Sequence, residues 1–204
     1  MIDANDIPNS QLVLYADDGY DSHVVRLLLE EKQLAYYHSR LHSERPEDLT
    51  ELNPYHSLPV LQQRDIALYE INVIFEYLEE RYHAHKLLPE TPQERAIIRQ
   101  LAWRIQNDWL ALGRKLLIHP DSFNKAEGAI AKKQLADSLI TISPLFAHKP
   151  YFMADEFGWC DALLAPLLWR LDEMGIQLPL GITRPLTEYQ KRLFERSGFK
   201  ASVS

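Results

Sequence analysis

Residues 58–82 read LPVLQQRDIALYEINVIFEYLEERY, and this stretch decides the fold. Leu58-Pro59-Val60-Leu61 and Ile66-Ala67-Leu68 are short apolar runs on either side of a polar turn, Gln63 to Asp65. They read as two strands joined by a tight connection. Directly after them Ile71, Ile74, Phe75 and Leu78 recur at helical spacing, so Glu70 to Tyr82 is expected to be an amphipathic helix. Working back towards the N-terminus, Leu34 to Leu41 is strand-like and rich in Tyr, and Arg45-Pro46-Glu47-Asp48 opens a short helical segment ending near Leu52. Gln11 to Tyr15 (QLVLY) is a buried strand broken by Asp17, Asp18 and Gly19. Asp21 or Ser22 then caps a helix through Val25, Leu28, Leu29 and Lys32. The order is β-α-β-α-β-β-α.

Beyond Leu87 the pattern is helical throughout. Thr91-Pro92-Gln93-Glu94 is a helix start, with Thr91 as cap, Pro92 at the first position and Glu94 completing a capping box. Ile98, Leu101, Ile105 and Leu112 extend that helix towards Pro120. Asn124 with Glu127 repeats the cap, and Leu135, Leu139, Ile142 and Phe146 follow. Asp161 to Leu171 is apolar enough to be a buried central helix, with Pro166 inside it as a source of a kink. Leu186, Tyr189 and Leu193 mark a last helix. The composition shifts in Tyr82 to Thr91, which divides the chain into an α/β domain, residues 9–86, and an all-α domain, residues 87–204.

Composition narrows the function. The net charge is −7, and Met1 to Lys86 carries 7 basic and 16 acidic residues against 15 and 13 in the remainder. An acidic surface repels phosphate backbones, which argues against direct nucleic-acid binding. The charge serves solubility or steers a basic protein partner. One cysteine, Cys160, cannot form an internal disulfide. The first ten residues hold Asp3 and Asp6 and no apolar core, unlike a secretory leader. No apolar run approaches the ~20 residues of a membrane span. A cytoplasmic protein is expected.

The β-α-β-α-β-β-α unit with a proline at its third strand, followed by a helical half, resembles the glutathione transferases, whose N-terminal domain is thioredoxin-like. Leu58-Pro59-Val60-Leu61 matches that family's cis-proline segment, and Asp161 its helix-capping aspartate. Within the fold, four stretches resemble the stringent starvation protein A family. They are Ser22 to Arg26; Leu52-Asn53-Pro54 through Val60; Pro150-Tyr151-Phe152 with Asp155 to Phe157 and Ala165 to Leu171; and Phe194-Glu195-Arg196 followed by Phe199 and Ala201-Ser202. That resemblance implies a homodimer that binds RNA polymerase holoenzyme and has no enzymatic activity. It also implies partner contacts in a loop after the third helix, here His83-Ala84-His85-Lys86, together with Thr91. His83-Ala84-His85 departs from the family's Pro-His-Pro, and Thr91 stands where the family has an aromatic residue. The plainer reading of the loop is an interdomain linker.

Glutathione transfer needs a backbone edge for the tripeptide, a polar group for its γ-glutamyl end, and a hydroxyl or thiol beside the thiolate that attacks. Leu58, before Pro59, can present its N–H and C=O to an extended peptide by strand addition; equally, the proline serves only the turn. Glu70 keeps the acidic residue of the family's γ-glutamyl site, but Ile71 replaces the Ser that should follow. The Ser or Cys position falls in Ala16 to Asp21, ADDGYD, where the adjacent Asp17 and Asp18 oppose a thiolate. Tyr15 ends the first strand where Tyr-type enzymes hold their phenol, and is otherwise a core aromatic. An active glutathione transferase using Tyr15 is therefore the alternative function. His83 and His85 lack the further ligands a zinc site needs, and Lys86 repels a cation. Asp17 and Asp18 point apart in extended chain and read as turn residues, and Cys160 reads as inert packing. No phosphate loop or nucleophile elbow is present, so neither a metal nor a cofactor is expected.

Overall fold

The computed structural model describes residues 11–41, 48–118 and 125–203. Arg45 to Glu47, Pro120 and Asn124 lie outside the described residues. The chain divides into two compact units, one running to His85 and taking in Ala201–Ser204, the other spanning Lys86–Lys200.

The first unit is a four-stranded mixed sheet with helices. Strands β1 (Leu12–Ala16), β2 (Tyr36–Arg40), β3 (Val60–Gln63) and β4 (Ile66–Leu68) lie in the order β2-β1-β3-β4. β1 pairs parallel with β2, Leu14 opposite His38, and antiparallel with β3, Tyr15 opposite Val60. Helices α1 (Tyr20–Glu31), α2 (Asp48–Leu52) and α3 (Ile71–Arg81) complete it. This is the element order and fold class expected from residues 58–82 and their flanks.

Helix α1 buries every residue from Ser22 to Leu29. Its start differs from the expected cap. The cap position is Gly19 with no side-chain bond, and Asp21 and Ser22 lie inside the first turn. Asp17 organises the entry instead, since its Oδ1 accepts from the Gly19 N–H at 2.9 Å and the Ser22 hydroxyl at 2.6 Å. Two buried polar residues of α1 close on the C-terminal segment. Arg26 Nε donates to the Ser202 carbonyl at 2.9 Å, and His23 Nε2 lies 3.0 Å from the Ser202 hydroxyl. Buried polar groups need such partners, because an unpaired one costs roughly 1–3 kcal/mol.

The second unit is all-helical: α4 (Pro92–Ile105), α5 (Ala111–Ile118), α6 (Lys125–Ile142), α7 (Trp159–Trp169), α8 (Arg184–Glu195) and α9 (Ser197–Ser202), whose last two residues belong to the first unit. The helix expected to run unbroken from Thr91 is interrupted by one π turn, Gln106–Leu110. There Asn107 Nδ2 donates to the Trp103 carbonyl at 2.8 Å, a side-chain bond that competes with the regular backbone ladder. α9 is a short helix separate from α8, beyond the last helix expected from Leu186, Tyr189 and Leu193.

Helix α7 is the core of this unit, with Ala162 to Leu168 all buried and the helix continuing through Pro166. Each of its leucines contributes about 1.5–3 kcal/mol by burial. Asp161 anchors the helix start. Its Oδ2 accepts from the Gly158 N–H at 2.9 Å, and its Oδ1 accepts from the Phe152 N–H at 2.8 Å and the Tyr189 hydroxyl at 2.6 Å. Burial pushes the Asp161 carboxyl up to about 6, against the opposing pull of those hydrogen bonds. No helix among the described residues is long and apolar enough to cross a membrane.

Candidate functional site

Two places gather the residues singled out in the sequence. The first is the end of β1, the β3 entry and the start of α3, all in the first unit. The Leu58–Pro59 bond is cis. Leu58 packs on the buried cluster of Leu41, Leu49 and Val60. Among the described residues its N–H and C=O have no hydrogen-bond partner.

The polar chemistry around that edge is committed elsewhere. Glu70 is the cap of α3. Its Oε2 accepts from the Asn72 and Val73 N–H groups at 2.9 and 3.2 Å, and its Oε1 accepts from Asn72 Nδ2 at 2.9 Å. Both carboxylate oxygens are thus occupied by the helix start, where a negative charge is favoured. Ile71, in place of the family's Ser, is 3% exposed and points its side chain into the core. The Tyr15 hydroxyl donates to Gln62 Oε1 on β3 at 3.2 Å, and the ring packs against the same Leu41, Leu49 and Val60 cluster. Ser22, the hydroxyl at the α1 start, is 1% exposed and donates to Asp17. The Ser22 hydroxyl is thus already committed to the Asp17 carboxylate.

The second place is the segment after α3. His83, Ala84, His85, Lys86 and Thr91 are all exposed, whereas Leu87 and Leu88 are buried. Lys86 Nζ lies 2.8 and 3.0 Å from the two Glu90 oxygens, and this ammonium holds the Glu90 carboxyl below its usual range. Thr91 caps α4: its hydroxyl accepts from the Glu94 N–H at 3.3 Å and donates to Glu94 Oε2 at 2.7 Å. In the second unit Lys86, Leu87 and Pro89 line a cavity of about 280 Å³ with Glu156, Phe157 and Cys160. Burial and the neighbouring Asp161 push the Cys160 thiol up, so it stays protonated and carries no nucleophile into that cavity.

One feature near this segment went unread in the sequence. Lys32, the residue closing α1, has a fully buried side chain and pairs with Glu79 of α3 at 2.8 Å. The same ammonium donates to the His85 carbonyl at 3.2 Å, and His85 has a left-handed backbone, φ 51°. The signal was available: Glu79 continues the stripe of Ile71 and Phe75 at four-residue spacing, and an acid on a buried stripe demands a partner.

Comparison with known proteins follows the same lines. Residues 22–81 match the glutathione S-transferase N-terminal domain family, and residues 105–197 the glutathione S-transferase C-terminal domain family. The chain is 39% identical to a stringent starvation protein A homolog of Pasteurella multocida over 95% of this chain and 91% of that one. It is 40% identical to the homolog of Coxiella burnetii over 90% of this chain and 86% of that one. In structure it resembles Ure2p in complex with glutathione, with a TM-score of 0.83, 13% identity, and coverage of 98% of this chain and 95% of that one.

Proposed function

The chain belongs to the stringent starvation protein A family, on the glutathione-transferase fold, and from that membership we propose that it is a non-catalytic transcription regulator docking on RNA polymerase holoenzyme. It works as a cytoplasmic homodimer, with residues 9–86 and 87–204 as its two domains. The observation that carries the reading is the 39% identity over 95% of the chain. The state of the first site supports it. A backbone edge persists at Leu58 and Pro59, but Glu70 is spent on a helix cap, Ile71 offers no hydroxyl, and the Tyr15 hydroxyl is turned to Gln62. Such a cleft is vestigial, able at most to hold an extended peptide. The partner surface is the exposed run His83, Ala84, His85 and Lys86, with Thr91, since surface loops held by a rigid scaffold are where contact chemistry concentrates.

The competing reading, a transferase using Tyr15, makes an opposite prediction. The purified protein is expected to conjugate glutathione to an electrophilic aromatic substrate no faster than buffer does, and to retain polymerase subunits from a lysate. Robust turnover that disappears in Tyr15→Phe would establish the transferase.

A further inference from the structure

We propose that Lys32 is a positioning residue for the partner loop, acting through the His85 carbonyl; this rests on the polymerase-docking reading above. Three observations meet here. The Lys32 ammonium is fully buried, it is shared between Glu79 Oε2 at 2.8 Å and the His85 carbonyl at 3.2 Å, and His85 is in the left-handed region. Helix α3 ends at Arg81, with Tyr82 in extended backbone, and the chain turns left-handed three residues later. For a non-glycine residue that conformation is uncommon, and a fixed partner on the residue's own carbonyl helps to hold it. A buried ammonium is a directional holder, because three N–H groups and no acceptor leave it only oxygens to satisfy.

Stability alone does not account for a charge in this place. Replacing a buried ion pair by apolar side chains of similar volume is often neutral or stabilising, whereas removing one partner is costly. An apolar pair would fill the space between α1 and α3 equally well, but would leave the His85 carbonyl without its donor. Lys32 and Glu79 therefore fix how the main chain leaves α3, and so the direction in which His83 and His85 are presented. The side chains that face solvent are set by one that never meets it.

Two measurements test this. In the wild-type protein, NMR should detect slowly exchanging Lys32 ammonium protons with a through-hydrogen-bond coupling to the His85 carbonyl carbon; failure to find that coupling overturns the proposal. In the double variant Lys32→Met/Glu79→Met, which leaves no unpaired buried charge, amide exchange in residues 83–87 should rise by about tenfold or more while the interiors of α1 and α3 keep their protection. Unchanged exchange in residues 83–87 overturns the proposal, as does a rise spread equally over α1 and α3. The same variant is then titrated against polymerase holoenzyme. Weaker binding at an unchanged melting temperature is the expected result. Faster loop exchange with unaltered binding leaves the role of Lys32 in shaping the loop standing and overturns the assignment of that loop as the surface that meets polymerase.

Discussion

Asp161 offers the most quantitative test of the helical unit. Two of its three donors, the Phe152 N–H and the Tyr189 hydroxyl, converge on Oδ1, and only the Gly158 N–H uses Oδ2. Asp161→Asn can keep the first two on its amide oxygen and lose the third. Asp161→Ala loses all three and orphans two buried donors, each costing about 1–3 kcal/mol. The Ala variant should therefore lie about 2–6 kcal/mol below the Asn variant at any pH. The Asn variant itself should depend on pH relative to wild type. Burial raises the Asp161 carboxyl from 3.8 to about 6, so the folded state holds this proton more tightly than the unfolded chain. Its contribution is fully present below the unfolded value and declines as pH rises through the folded value. Roughly 2 pH units, at about 1.4 kcal/mol each, make about 3 kcal/mol of stability lost between about pH 4 and pH 7. Asn at this position cannot titrate, so the deficit of Asp161→Asn should shrink over that range by a similar amount. Urea unfolding followed by tryptophan fluorescence at the two pH values measures it. A deficit that grows with pH, or an Ala variant as stable as the Asn variant, would refute the reasoning.

Other outcomes follow from single contacts. His83→Ala with Lys86→Ala removes exposed side chains and one exposed ion pair, so the melting temperature should hold within the roughly 0.5 kcal/mol expected of surface changes, while pull-down of polymerase weakens. Tyr15→Phe removes one hydrogen bond to Gln62 and should cost about 1 kcal/mol in denaturant titration without touching any conjugation rate. Light scattering should give twice the 23.8 kDa of the chain. Trp103 on α4 is a large aromatic side chain left 63% exposed, so Trp103→Glu should shift the mass towards one chain.

What could be read from the sequence was governed by range. The stretch from Leu58 to Tyr82 announced its strands and helix because period and turn chemistry are local, and β3, β4 and α3 follow it within a residue or two. Ile71 was legible as core for the same reason, and is 3% exposed. The cap on α1 differs from the expected Asp21 or Ser22 because Asp17, outside the helix, organises the turn. Lys32 with Glu79, and Arg26 with Ser202, were invisible to periodicity, since each joins residues 47 or 176 positions apart. The π turn at Gln106 coincides with an Asn107 side chain bonded to the Trp103 carbonyl, which no hydrophobic pattern reports. At the candidate site, the residue types suggested a damaged transferase cleft; only geometry revealed that Glu70 is wholly engaged in capping α3.

The central claim, docking on polymerase in place of glutathione chemistry, is tested most directly by co-sedimentation of the purified chain with purified RNA polymerase holoenzyme at roughly 0.15 M salt, where exposed charges are screened beyond about 8 Å. The chain is predicted to travel with the polymerase, and the His83→Ala, Lys86→Ala variant to lag behind it. A wild-type chain that remains at the top of the gradient, from a preparation that turns over glutathione, would contradict the claim.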